Sequence, residues 1–174
     1  YMQLKEHLIR RGVKFVSETD TEVVAQLFEY YYKGDMVETL IKVISKVEGS
    51  YALGVISQEH PDQLLAVRKD SPLIVGLGKG ENYIASDIPA ILSKTRDIYR
   101  LEDKEIAVLT TGGVTVYNTD YEIVQKTPFH VDWDISAAEK GGYEHFMAKE
   151  IMEQPKAVRD TISPRIRNGE IVLD

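Results

Sequence analysis

At 174 residues the chain is long enough for one domain with a substantial core and short for two. Its 43% hydrophobic and 28% charged content is that of an ordinary globular protein, and a net charge of −7 with scattered Lys and Arg speaks against nucleic acid as a partner. The sequence holds no cysteine, which excludes disulfides, thiolate metal sites and thiol chemistry within these residues. No apolar stretch approaches bilayer length, so no membrane partner is expected, and the lack of a disulfide framework fits a cytoplasmic protein. The chain opens on Tyr1 inside an expected helix, which points to a fragment of a longer protein.

Leu4 and Leu8, one turn apart, predict a helix over Tyr1 to Arg11, ended by Gly12. A short strand, Val13 to Ser17, is expected next. A second helix from Thr21 to about Lys33 places Val24, Leu27, Phe28 and Tyr31 on one face and breaks at Gly34-Asp35. The third helix carries Val37, Leu40, Ile41, Ile44 and Val47 at a 3.6-residue period.

After Gly49 the pattern changes to strands. Tyr51 to Ile56 is apolar on both faces and reads as a central strand, paired across a His60-Pro61-Asp62 turn with Gln63 to Arg68. Leu73 to Leu77 and Tyr83 to Ala85 flank the Gly78-Lys79-Gly80 turn, and a short helix is expected from Ile88 to Ser93. Ile98 to Leu101, Ile106 to Leu109, Val114 to Tyr117 and Glu122 to Gln125 form a meander of short strands. Pro128 to Ala138, with the single tryptophan Trp133, reads as irregular, and Tyr143 to Ile162 as a helix interrupted or restarted at Pro155. Helices, then strands, then a helix give an α+β layered fold, with no repeat and no obvious interdomain linker.

Asp20 admits two readings. Thr19-Asp20-Thr21-Glu22 has the form of a capping box, in which Thr19 accepts from the Glu22 amide and the Glu22 carboxylate reaches back to the N-cap, with Asp20 favouring the helix dipole. Alternatively, a carboxylate at the entry to a helix lies on a pocket rim and holds a ligand ammonium, a charge-assisted bond contributing roughly 1.5–3 kcal/mol. Gly76-Leu77-Gly78-Lys79-Gly80-Glu81-Asn82 is no nucleotide loop, because a strand follows where a phosphate site needs a helix N-terminus. His7, His60, His130 and His145 show no metal-ligand spacing, so neither a metal nor a cofactor is expected. Ser71-Pro72 reads as a turn, and Ser86-Asp87 as an N-cap.

Three runs go further than general helix and turn chemistry. Ser17-Glu18-Thr19-Asp20-Thr21-Glu22-Val23 and Glu139-Lys140-Gly141-Gly142-Tyr143-Glu144-His145-Phe146-Met147-Ala148-Lys149-Glu150-Ile151-Met152-Glu153-Gln154-Pro155 together resemble the glutaminase domain of isomerising glutamine–fructose-6-phosphate amidotransferases, the glucosamine-6-phosphate synthases. Arg68 to Leu73, with Gly76 and Tyr83-Ile84-Ala85-Ser86-Asp87, resembles a strand pair shared broadly by amidotransferases with an N-terminal nucleophile, and the resemblance covers essentially the whole chain. The resemblance implies a four-layer αββα sandwich of the N-terminal-nucleophile type, incomplete at its N-terminus, with residues 1–174 as the C-terminal part of one glutaminase domain.

It implies also that Asp20 holds the α-ammonium of substrate glutamine, with Thr19 and Glu22 left to capping. The cysteine nucleophile, the Asn-Gly oxyanion donors and the arginine for the α-carboxylate should precede Tyr1, so no catalytic residue is assigned here and the isolated chain is expected to be inert. A sugar-phosphate isomerase domain should follow Asp174, and the parent should be a homo-oligomer. In the 139–155 run, Tyr143 and Phe146 are set to pack and Lys149, Glu150 and Glu153 to face water; His145, Lys149 and Glu150 are candidates to meet the partner domain. Two alternatives stand beside this reading. One is the phosphoribosylamine-forming amidotransferase, against which the Glu-Lys-Gly … Glu-Gln-Pro ending speaks. The other is a non-catalytic ligand-sensing or interaction domain on the same scaffold.

Overall fold

A computed structural model describes residues 1–132 and 140–173; Trp133 and the first residue of the last run, Glu139, lie outside the described residues. The chain divides into two compact units, Tyr1–Asp132 and Trp133–Asp174, although its composition marks no linker between them.

The first unit opens with three helices, α1 (Met2–Arg10), α2 (Asp20–Tyr31) and α3 (Met36–Ile44). Leu8 on α1, Leu27 and Phe28 on α2, and Val37, Leu40 and Ile44 on α3 are buried as their periodicity predicts, with Val23, Met36 and Val43 buried beside them, whereas Leu4, Val24, Tyr31, Ile41 and Val47 are half-buried. Asp35 caps α3, its carboxylate accepting the Glu38 amide at 2.8 Å, an interaction contributing about 1 kcal/mol in such positions. The expected strand at Val13–Ser17 does not form. This stretch is irregular: the Val13 amide donates to the Leu8 carbonyl, and the Val16 and Ser17 amides find a side-chain partner instead of a neighbouring strand.

Nine strands follow: β1 (Tyr51–Ser57), β2 (His60–Lys69), β3 (Ile74–Leu77), β4 (Asn82–Ala85), β5 (Asp97–Arg100), β6 (Ile106–Thr110), β7 (Gly113–Tyr117), β8 (Ile123–Val124) and β9 (Phe129–His130). They build two antiparallel sheets, ordered β1-β2-β6-β7-β8 and β4-β3-β5-β9. Successive side chains of β2 and β6 point to opposite faces, and both faces are buried. Leu65, Val67 and Ile106 join the helices in one core, whereas Ala66, Ala107 and Leu109 meet Leu73 and Val75 of the second sheet's side in another. The α+β class with antiparallel sheets is thus the architecture of this unit.

The centre of the first sheet is displaced from the expected one. β1 is an edge strand, with Ile56 81% exposed, and the strands buried on both faces are β2 and β6. The turn between them is Gln58-Glu59, and His60 and Pro61 already belong to β2. Pro at this end of a strand costs no ladder bond where its missing N–H faces away from the partner. Around Ile88–Ser93 there is a series of turns in place of a helix, opened by Asp87, whose carboxylate accepts the Ala90 amide at 3.2 Å. Ile91 and Leu92 of these turns are buried, and Ile91 lies over Gly76 of β3. The 76–82 segment forms the β3–β4 hairpin, as the glycine pattern suggests.

In the second unit, α4 (Phe146–Ile162) runs through Pro155 without interruption. Proline removes the N–H that would have met the Ile151 carbonyl, and Ile151 is exposed, so that carbonyl is not stranded in a core. A 3-10 turn, Ser163–Arg165, leads to the hairpin β10 (Ile166–Arg167) and β11 (Glu170–Ile171), which the sequence reading does not contain. Gly169 and Asn168, both at positive φ, make its turn. Lys149 is buried and Nζ lies 3.9 Å from Glu153, whereas Tyr143 and Phe146 are 39% and 51% exposed, the reverse of their expected placement. The long Lys149 stem folds back toward Gly141, with its Cε and Cδ at ordinary van der Waals distance from where a Cβ would stand. Glu150 and His145 are exposed, as is the stripe Met147, Ile151, Val158 and Ile162.

Candidate functional site

Asp20 is the first residue of α2, exposed, at the point where the irregular 13–19 segment becomes helical. It lines a pocket of about 650 Å³ between the start of α1, the first turn of α2, the Lys46–Glu48 segment and the beginning of β1. Thr21, Val24, Lys46, Ser50 and Tyr51 share its wall, so an acidic group, a basic group and an apolar floor converge on one cleft. The Asp20 carboxylate has one side-chain hydrogen bond among the described residues, a 3.5 Å contact from the Thr21 hydroxyl. Its remaining acceptor positions are free for a ligand donor.

The expected capping box takes a different form. Thr19 makes no side-chain cap to α2. Glu22 instead reaches past it, accepting the Val16 amide at 2.8 Å, the Ser17 amide at 2.6 Å and the Ser17 hydroxyl at 2.5 Å. Gln26 Nε2 adds a 3.3 Å bond to the same carboxylate and another to the Lys14 carbonyl. The Ser17 hydroxyl, and after it the Val16 amide, hold the Glu22 carboxyl down to about 2, against an ordinary 4.5. Sequence reasoning stopped at the four-residue box; the unpaired amides of an extended segment five or six residues before a glutamate are the signal that reaches Ser17 and Val16.

Tyr51 is the other residue that sequence reasoning did not single out. It is 8% exposed, it lines the pocket, and its hydroxyl has no hydrogen-bond partner among the described residues. Burial pushes this phenol up, helped by the charges of Asp103 and Asp70. The second matching run is structural: Arg68 holds the Ser71 carbonyl at 2.6 Å, the Leu101 carbonyl at 3.1 Å and the Asp103 carboxylate at 3.1 Å, tying the end of β2 to the β5–β6 connection. His60 is engaged with the Tyr32 hydroxyl and His130 with Asp97. Among the described residues no group of three or more His, Cys, Asp or Glu could hold a metal ion, and no helix is long and apolar enough to cross a membrane.

Residues 1–93, which contain α1 to α3, β1 to β4 and the whole Asp20 wall, match the family model of a glutamine amidotransferase domain. The chain belongs to that family. This amidotransferase chain is 58% identical to glutamine–fructose-6-phosphate aminotransferase (isomerizing) of Clostridium acetobutylicum over 175 residues, covering 100% of the chain and 29% of the relative. The enzymes of the same name from Aquifex aeolicus and Thermus thermophilus are 52% and 46% identical, over 93% and 98% of the chain and 27% and 28% of the relatives. The chain therefore spans less than a third of the length of these relatives.

Among solved structures, the glutamine phosphoribosylpyrophosphate amidotransferase of B. subtilis complexed with ADP and GMP superposes with a TM-score of 0.57 at 21% identity, over 70% of this chain and 27% of that one. A structure titled the allosteric regulatory enzyme of purine biosynthesis gives 0.59, also at 21% identity, over 70% and 26%. At that identity the likeness speaks to the fold alone.

Proposed function

We propose that this chain is part of the glutamine-hydrolysing portion of an enzyme that transfers ammonia from glutamine to fructose 6-phosphate, yielding glucosamine 6-phosphate and glutamate. The observation that carries the reading is Asp20: a carboxylate with free acceptor positions on a pocket wall, in a chain 58% identical to an aminotransferase of that name. In this role Asp20 receives the α-ammonium of glutamine, orienting the side-chain amide for attack by a nucleophile that a sequence without cysteine does not itself supply. The isolated 174 residues are therefore inert, and a segment carrying the nucleophile, the oxyanion donors and the carboxylate-binding arginine completes the site in the longer protein.

The first unit is the part of the chain that carries this glutaminase reading. Its two facing sheets with helices on the outside of one support a four-layer αββα sandwich, the second helical layer coming from elsewhere in the longer protein. The exposed apolar edge of β1 supports the same view, since an unpaired strand with Ile56 in solvent invites a neighbour. A sugar-phosphate isomerase domain and assembly into a homo-oligomer complete the proposal.

The test is kinetic. In the full-length protein, Asp20→Ala is expected to raise KM for glutamine at least tenfold, and to leave formation of glucosamine 6-phosphate from free ammonia unchanged. An unchanged glutamine KM reduces Asp20 to a helix-start residue. Failure of fructose 6-phosphate to accept ammonia from glutamine removes the proposed reaction.

A further inference from the structure

We infer that Glu22 is the positioning residue for Asp20: its carboxylate straps the irregular segment before α2 so that the Asp20 carboxylate is presented at a fixed place and angle to the pocket. The inference rests on the reading of Asp20 as the group that receives the substrate ammonium.

Residues 13–19 lie in no sheet and no helix, so their amides need acceptors from elsewhere. Two successive amides, Val16 and Ser17, point at one carboxylate, Glu22, in the first turn of the helix that Asp20 begins. A third bond comes from the Ser17 hydroxyl. An ionised carboxylate only accepts, so Ser17 must donate to it. The Ser17 oxygen is then left to accept, and it does so from the Thr19 hydroxyl at 2.8 Å and the Thr19 amide at 3.3 Å. The chain of donors thus runs Thr19 to Ser17 to Glu22, beginning on the residue before Asp20 and ending in the first turn of its helix.

The strap is held from both sides. Lys5 of α1 donates to the Ser17 carbonyl at 3.2 Å, and Gln26 of α2 spans Glu22 and the Lys14 carbonyl. These bonds tie the segment upstream of Asp20 to α1 and α2, and none touches the Asp20 carboxylate. Glu22 therefore acts on substrate only through the position of Asp20. Because a displacement of about 1 Å in a substrate-holding group can cost 10²-fold, loosening the strap should be read directly in glutamine affinity.

The amide of Glu22→Gln has a single acceptor oxygen, and its NH₂ must face one of the donors that the carboxylate now satisfies. The experiment uses the full-length protein with two substrates, glutamine and glutaramate, which is glutamine without its α-amino group. For Glu22→Gln the expected result is a rise of about tenfold in KM for glutamine with kcat changed less than about threefold. On glutaramate, which gives Asp20 nothing to hold, kcat/KM should change less than about twofold. Glu22→Asp keeps a charged acceptor and should recover part of the loss, while Ser17→Ala, which removes only the relay, should show a smaller effect with the same substrate selectivity.

Equal losses on glutamine and glutaramate would make Glu22 a merely structural residue and overturn the inference, as would an unchanged glutamine KM in both Glu22→Gln and Ser17→Ala. Asp20→Asn separates the two levels. If it leaves the glutamine KM unchanged, the reading of Asp20 falls and the inference with it. If it raises KM and the Glu22 and Ser17 variants do not, the inference alone falls.

Discussion

Lys126 Nζ lies 2.6 Å from Glu105 Oε2, and the two side chains are only 15% and 11% exposed. The same Glu105 oxygen accepts the Glu102 amide at 2.7 Å, so the carboxylate shapes the turn before β6 while Lys126 neutralises it. Removing one partner of such a pair leaves a poorly solvated charge, which is more damaging than never having had the pair. Lys126→Met is expected to cost about 3 kcal/mol in urea denaturation, and the double change Glu105→Gln with Lys126→Met to recover most of it. A loss below about 1 kcal/mol for the single variant would show that the pair behaves as an exposed one.

The glycines of the sheets are not equivalent. A Cβ on Gly78 would overlap the Glu81 carbonyl oxygen, which is backbone within the same hairpin and cannot turn away. A Cβ on Gly54 would meet only the Ile84 Cδ1 atom, at 2.8 Å, which is the free end of a side chain. Gly78→Ala should therefore cost about 2 kcal/mol, an overpacking value, and Gly54→Ala less than half as much, measured as thermal or chemical denaturation. The opposite order would mean that the β3–β4 turn yields more readily than the contact between the sheets.

What the sequence shows of this fold follows from what each signal encodes. The helical stripes of α2 and α3 were legible because Leu27, Phe28, Leu40 and Ile44 repeat at helical spacing and all four are buried where that spacing puts them. The rank of β1 in its sheet was not, since Tyr51 to Ile56 is apolar on both faces whether or not a neighbour pairs with its edge, and composition carries no sheet order. Val13 to Ser17 has strand-like residues, yet the Val16 and Ser17 amides are taken by Glu22 before any strand can claim them. Asp20 was visible through its motif and lies on a pocket wall. The role of Glu22 was only half visible, because a capping pattern names the glutamate and leaves open which amides it reaches.

The Tyr121 hydroxyl donates to Asp35 Oδ2 at 2.6 Å, pinning the β7–β8 connection to the N-terminus of α3. The bond to Asp35 pushes the Tyr121 phenol up to about 12 from an ordinary 10.0. On the Asp35 side burial opposes ionisation, but the bonds from Tyr121 and from the Glu38 and Val37 amides outweigh it and hold the carboxyl below its usual value. A tyrosine with a raised folded pKa contributes stability that is fully present below pH 10 and is lost as pH rises through about 12. Wild type should lose its stability advantage over Tyr121→Phe across that window, and absorbance at about 295 nm should show one fewer late-ionising tyrosine in the variant. An advantage that does not change between pH 9 and 12 would mean that the phenol–carboxylate bond is not formed in solution.

The acid limb tests the strap. Glu22 ionises at about 2 when folded and near 4.5 when free, so below 4.5 the unfolded chain binds more protons than the native one. Stability from this group is therefore fully present above pH 4.5 and drains away as pH falls through about 2. Glu22→Gln cannot titrate, and Asp35 and the other carboxylates are common to both proteins, so the difference in Tm between wild type and variant isolates the one group. That difference should be largest near pH 6 and should shrink steadily between pH 4.5 and 2. Ser17→Ala removes the leading cause of the low value and so raises the folded-state value, and its own difference from wild type should shrink over the lower part of the same interval, between the two folded-state values. A Tm difference that stays constant down to pH 2 would show that the bonds from Val16 and Ser17 do not depend on the charge of Glu22, and the strap would then owe its strength to packing alone.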